Sequence, residues 1–116
     1  MVKKTVYDIM LCNNIIYKLI EQQIEYKIQT AYKLYQIKKD LDEIELLMVQ
    51  RWEQMFGSDY NVQDFTEDQL KVYNITLMAE VEIDTRGLIL NDLISNDKVS
   101  LTLSEIEHLD KFLKSV

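Results

Sequence analysis

Apolar positions repeat at intervals of three and four residues over two long segments of the chain. Ahead of the first segment, Thr5 and Asp8 stand three apart, as a helix N-cap residue and its acidic partner do. The apolar stripe that follows consists of Ile9, Cys12, Ile16, Leu19 and Ile20. The spacing predicts a first helix from about Thr5 to about Gln22.

The second segment predicts a helix of about 30 residues, from Glu25 to Phe56, which Gly57 ends. One apolar stripe along it consists of Ile24, Ile28, Ala31 and Tyr35. A second stripe, with Trp52 beside it, consists of Leu34, Ile37, Leu41, Ile44, Met48 and Met55. Two stripes on one helix indicate two neighbours. We expect the first helix to cover one stripe, and either a later segment or another subunit to cover the other.

Two shorter helices are predicted from capping boxes, one at Thr66 with Gln69 and one at Thr102 with Glu105. Between them, residues 80–84 alternate acidic and apolar, which favours an extended segment with one buried face. A minimal β-hairpin at about 80–90 is one interpretation, and continuation of the preceding helix through residue 82 is the alternative. Residues 91–100 are expected to be irregular.

These elements predict a mainly α fold, in which a long helical hairpin packs with two shorter helices within a single domain of residues 1–116. The chain contains no proline and only two glycines, so little interrupts its helices. The net charge is −7, and residues 57–116 carry all of it, with 5 basic and 12 acidic side chains. Contact between that half and a phosphate backbone is therefore not expected.

Candidate chemistry is sparse. Cys12 lies on an apolar stripe and His108 on the last helix, and a core cysteine with a surface histidine is the ordinary interpretation of the two. The two glycines, Gly57 and Gly87, stand too far apart for a phosphate-binding loop, and no zinc-ligand spacing is present. We therefore predict no enzyme activity, no cofactor and no metal ion.

Three acidic side chains, Glu80, Glu82 and Asp84, point the same way on an extended segment. They are the best candidate in the chain for a metal-binding carboxylate cluster. The solvent face of any half-buried strand has the same composition, however, and we prefer that interpretation. The second helix also carries four lysines among its tyrosines, which we interpret as a charged outer face. The lysines are Lys27, Lys33, Lys38 and Lys39.

Several segments resemble small proteins of tailed bacteriophages, whose genes often lie among those for virion structure or assembly. The matching segments are residues 28–41 (IQTAYKLYQIKKDL) with Arg51, residues 80–84 and 88–93, and residues 101–112. The chain departs from the family where a proline would precede the second helix, since Glu25 or Tyr26 stands there. The resemblance brings no catalytic residue.

We therefore expect a non-enzymatic phage structural or virion-assembly component that contacts protein, either a second copy of itself or another virion protein. The predicted contact residues on the second stripe are Leu41, Ile44, Met48, Trp52 and Met55. The alternative hypothesis is a phage-encoded acidic regulator that binds a host protein through Glu80, Glu82 and Asp84. Because the chain lacks an apolar run of membrane-spanning length, we expect it in the host cytoplasm where it is made, or in the virion.

Overall fold

The computed structural model describes residues 1–114. Helices dominate this part of the chain, which confirms the predicted mainly α fold. Two short strands form an antiparallel sheet. The elements, in order, are β1 (Val2–Thr5), α1 (Val6–Glu21), α2 (Ile28–Phe56), α3 (Glu67–Leu77), β2 (Glu80–Ile83), α4 (Leu90–Ile94) and α5 (Leu103–Leu113), with one turn of 3-10 helix at Val62–Asp64.

The predicted helix boundaries are confirmed where polar side chains cap the backbone. Thr5 caps α1 by accepting a hydrogen bond from the N–H of Asp8 at 3.1 Å. Capping boxes open α3 at Thr66 and α5 at Thr102. Gly57 ends α2 with φ +93°, a conformation in which a side chain would be strained.

The α1–α2 hairpin forms the centre of the main core, but α1 covers the second stripe of α2 and not the first. The α1 side chains Ile9, Cys12, Ile16 and Leu19 share this core with α2 side chains of the second stripe. The latter are Leu34, Ile37 and Leu41. Helix α5 closes the core from another side with Leu109 and Phe112. In the first stripe, by contrast, Ile28 and Tyr35 are left exposed.

The extended segment at residues 80–83 is confirmed, and its partner corrects the hairpin predicted at 80–90. Strand β2 pairs antiparallel with β1, so that Val2 lies opposite Ile83 and Thr5 opposite Glu80. The ladder continues beyond the strands, where the N–H of Val6 donates to the carbonyl of Ala79 at 2.9 Å. Leu88 is instead buried in the main core, while Ile89 beside it is exposed. The sheet thus ties the start of the chain to its middle.

Two segments differ from the predicted boundaries. Helix α2 begins at Ile28 and not at Glu25, because residues 22–27 form a connection in which Gln23 has φ +54°. Tyr26 in this connection donates to the carbonyl of Leu93 at 3.0 Å. Part of the segment 91–100, predicted to be irregular, belongs to the short helix α4, which begins where Asp92 accepts from the N–H of Ile89. Leu93 of α4 is fully buried, so packing stabilises this short helix.

A smaller core lies at the far end of α2. Trp52 is buried there, and its indole N–H donates to the hydroxyl of Thr76 on α3 at 2.8 Å. The ring of Trp52 lies 4.9 Å from that of Tyr73, between ring centroids. Tyr73, Phe65 and Phe56 form successive aromatic contacts around it. Helix α3 is thereby held against the second stripe of α2.

The turn after β2 is anchored to α2 by Arg86. Its backbone has φ +54°, and its guanidinium donates to the carboxylate of Asp40 at 2.7 Å. Asp84 accepts from the backbone N–H of Arg86 at 2.9 Å. A single arginine therefore connects the strand segment to the middle of the long helix.

Two leucines on α5 test the position of the main core. Leu109 is fully buried, whereas Leu103 is 87% exposed on the same helix. Leu109→Ala should lower the free energy of unfolding by about 2–5 kcal/mol, because it removes buried methyl groups and leaves a cavity. Leu103→Ala should change it by less than about 0.5 kcal/mol. Urea denaturation followed by circular dichroism measures both, and equal effects would contradict the packing of α5.

Candidate contact surface

The second stripe of α2 lies largely inside the protein. Leu41 belongs to the main core, while Met48 and Trp52 belong to the smaller one. Ile44 is half-buried against the main core, and only Met55 is exposed. Helix α1 thus covers the first half of this stripe, and α3, a later segment of the same chain, covers Met48 and Trp52. Leu41, Met48 and Trp52 are core residues, which corrects their assignment as partner-binding residues.

The exposed face of α2 lies on the opposite side of the helix. Four large apolar side chains and two charged ones follow one another along it, all of them exposed to solvent. We call them the outer row: Ile28, Tyr32, Tyr35, Lys39, Asp42 and Leu46. Ile28 is 83% exposed, Tyr35 64% and Leu46 58%. Exposed apolar side chains are ordinary when they are scattered, but a continuous row on one helix face is typical of a contact surface.

An open apolar groove borders the outer row near the start of α2. It has a volume of about 300 Å³ and lies between the end of α1 and the beginning of α2. Its walls include Ile20, Ile24, Ala31 and Tyr35. Tyr35 therefore belongs both to the groove and to the outer row, and the two form one continuous apolar surface.

A buried amide fixes the charged groups beside this surface. Asn13 of α1 is the one buried polar side chain within residues 1–114, and its Nδ2 donates to Asp42 at 3.0 Å and to Glu45 at 2.6 Å. Its oxygen accepts from the Nζ of Lys38 at 3.0 Å. Lys38 also binds Asp42 directly and lies 5.6 Å from the ring centroid of Tyr17.

The charge on Asp42 is favoured by this network. Partial burial alone would raise the pKa of its carboxyl group, but hydrogen bonds from Lys38 and Asn13 outweigh that effect and lower the pKa below its ordinary value. Asp42 is therefore held ionised and oriented, with part of its side chain still facing solvent. Lys39, one residue from Lys38, remains exposed on the same face.

Of the predicted acidic residues, Glu80 and Glu82 lie on the solvent side of the small sheet, and Asp84 follows the end of β2. Glu80 and Glu82 are exposed, while Ile83 between them and the turn is buried, as the alternation predicted. Glu82 lies opposite Lys3 in the strand pair, and Asp84 contacts Arg86. Two of the three carboxylates thus have basic neighbours, which reduces the local negative potential.

Cys12 and His108 do come together, since both line a small cavity between α1 and α5. The thiol donates to the backbone carbonyl of His108 at 3.7 Å, and not to its imidazole. Burial raises the pKa of the Cys12 thiol to about 12, and the charge of Asp8 adds to this effect, while Lys4 opposes it. The thiol stays protonated at neutral pH, and a protonated thiol is a poor nucleophile.

Within residues 1–114, no three histidine, cysteine, aspartate or glutamate side chains lie close enough together to hold a metal ion. None of the helices in that range combines the length and the apolar character that a bilayer crossing requires.

No protein-family model, curated protein or solved structure matches this chain. The outer row and its groove are the most extended exposed apolar features of α2. Sequence patterning predicted that both stripes of α2 are covered, but Ile28 and Tyr35 of the first stripe are exposed. The two stripes can be told apart because the charged Lys39 and Asp42 follow the first stripe on its helix face, and charged side chains avoid a protein core.

The buried thiol makes stability depend on pH in alkaline solution. Because the pKa of Cys12 is about 12 in the folded state and about 9 in the unfolded state, only the unfolded thiol ionises between these values. The unfolded state then binds fewer protons, so stability falls as the pH rises above 9. Ionisation of this one thiol lowers the free energy of unfolding by at most about 1.4 kcal/mol per pH unit.

Urea denaturation of the wild type and of Cys12→Ala at pH 8, 9 and 10 isolates this effect, because both proteins share all other titrating groups. The wild type should be the more stable at pH 8, and its advantage should shrink at pH 10 (about two units below the pKa in the folded state). A difference between the two proteins that stays constant with pH would contradict burial of the thiol.

Proposed function

We propose that this chain is a non-enzymatic structural or assembly component of a tailed bacteriophage, and that it works through helix-mediated contacts with protein. The observation that carries the proposal is the outer row, which places four large apolar side chains in solvent along one face of α2. Leaving these groups in water forgoes roughly 25 cal/mol for each Å² that a partner would bury. A protein that functions alone gains nothing from such a face.

The composition of this surface agrees with a protein partner. Tyrosine is enriched at protein interfaces, and the outer row contains Tyr32 and Tyr35. Lys38, Lys39 and Asp42 at its centre supply both signs of charge, which suits a partner with complementary charges better than a polyanion. The sequence resemblance to small phage proteins adds the setting, in which many copies of few proteins assemble into particles.

Two adjacent leucines give a matched test. Leu46 is in the outer row and Leu47, which is 64% exposed, lies about 100° around the helix from it. Particles of the phage that encodes the chain should contain it in fixed stoichiometry by quantitative mass spectrometry. Leu46→Glu should reduce that amount about tenfold or more, because a charge would be placed against an apolar partner. Leu47→Glu should leave it nearly unchanged.

Absence of the wild-type chain from purified particles would overturn incorporation into the virion. A transient assembly role would then require the chain in assembly intermediates from infected cells. Its absence from both would contradict the structural proposal as a whole. Equal loss with both leucine variants would place the contact surface elsewhere.

A second candidate function is a phage-encoded acidic regulator that binds a host protein. It is favoured by the exposed Glu80 and Glu82 on β2, in the half of the chain that carries the whole negative charge. Affinity capture from host lysate should then recover one stoichiometric host protein. The double variant Glu80→Lys with Glu82→Lys should weaken that binding and its dependence on salt. The matched double variant Glu67→Lys with Asp68→Lys, which changes two exposed acids on α3, should not.

A further inference from the structure

The outer row has the spacing of a helix-packing seam. Its six positions are separated by four, three, four, three and four residues, the alternation that brings side chains onto one line along a helix. The seam that packs α1 lies on the other side of α2, so this is a second and independent seam. Within residues 1–114, no other element covers Ile28, Tyr35 or Leu46.

We propose that the outer row packs against the outer row of a second copy of this chain, with the two α2 helices antiparallel and related by a two-fold axis. The proposal deepens the contact function proposed above and rests on it. It names the partner, the surface and the orientation.

The order of charges selects an antiparallel arrangement. The middle of the outer row reads Lys38-Lys39 followed, after Asp40 and Leu41, by Asp42-Glu43. In a parallel pair the Lys39 side chains of the two copies would meet, and so would the Asp42 side chains. In an antiparallel pair centred between residues 40 and 41, Lys39 of each copy lies opposite Asp42 of the other. Opposite charges then meet twice, since a two-fold interface repeats every contact.

The same register brings apolar side chains together. Positions 35 and 46 are equally far from the centre, so Tyr35 of one copy lies opposite Leu46 of the other. A shallow depression of about 320 Å³ lies between these positions, lined by Tyr35, Lys38, Lys39, Asp42, Glu43 and Leu46. A side chain of the second copy would fill this depression in knobs-into-holes packing.

The geometry of the molecule also suits this interface. Helix α2 has 29 residues, which corresponds to about 44 Å, and the longest dimension of the molecule is 46 Å. The outer row, from residue 28 to residue 46, covers about 27 Å of this length. Asn13 holds Asp42 from the core side, so this carboxylate is oriented before the second copy arrives. Such preorganisation lowers the entropy lost on association.

Charge exchange tests both the surface and the orientation. The wild type should sediment at twice the chain mass of 13.8 kDa and dissociate on dilution. Lys39→Glu alone and Asp42→Lys alone should each raise the dissociation constant at least about tenfold, because like charges then meet twice. A mixture of the two variants should recover the dimer, since every contact again joins opposite charges. Analytical ultracentrifugation measures all four samples.

Asp42→Lys also removes hydrogen bonds within the chain, so a second pair of variants separates folding from association. Leu46→Glu should raise the dissociation constant on the order of 100-fold, because it places a charge in the apolar part of the seam. Leu47→Glu should leave the constant within about threefold, because Leu47 faces away from the seam. Circular dichroism melting should show that both variants fold.

Three results would overturn this interface. The first is a wild type that is monomeric at every concentration, and the second is a dimer that tolerates Leu46→Glu. The third is a heterodimer of Lys39→Glu with the wild type that is tighter than the wild-type homodimer, which would indicate parallel helices. A monomeric wild type would leave the proposed function standing if Leu46→Glu still lowered incorporation into particles. A dimer that is absent from particles and assembly intermediates would contradict the proposed function and leave the interface intact.

Discussion

The packing of α1 against one side of α2 determines the rest of this structure. Ile16 and Leu19 of α1 meet Leu34, Ile37 and Leu41 in a common core. Asn13 sets the rotation of the pair, because its amide binds Lys38, Asp42 and Glu45 on α2. A buried amide that lost these partners would be left unsatisfied at a cost of roughly 1–3 kcal/mol, so other rotations of α1 are disfavoured. Once this side of α2 is occupied, the opposite side is left in solvent.

The remaining elements extend that arrangement. Helix α5 and the buried Leu88 and Leu93 complete the main core, and Trp52 with its neighbours forms the smaller one. Strand β1 directly precedes α1, so its pairing with β2 brings the middle of the chain back to the start of the hairpin. Arg86 then fixes the following turn to Asp40 of α2. Because almost every element contacts the hairpin, α2 has one inner and one outer side along its whole length.

Much of this fold was predictable from local chemistry. The capping patterns at Thr5, Thr66 and Thr102 predicted three helix starts, and Gly57 predicted the end of α2. The pairing of β2 with residues 2–5 was not predictable, since VKKT has only four residues and no turn signal connects the two strands. Periodicity found both stripes of α2 but not which one faces the core, because that depends on where α1 packs. Leu41, Met48 and Trp52 of the predicted contact site accordingly lie in the core.

The proposed interface joins the outer sides of two α2 helices in antiparallel orientation. Pulsed electron paramagnetic resonance tests it most directly, with spin labels introduced by Glu43→Cys or Gln50→Cys while the buried Cys12 is replaced by alanine. The separation along the helix axes should be about 8 Å for labels at residue 43 and about 29 Å for labels at residue 50. The measured distance should therefore be clearly longer at position 50. Similar short distances at both positions would indicate parallel helices, and the absence of dipolar coupling at both would contradict the interface itself.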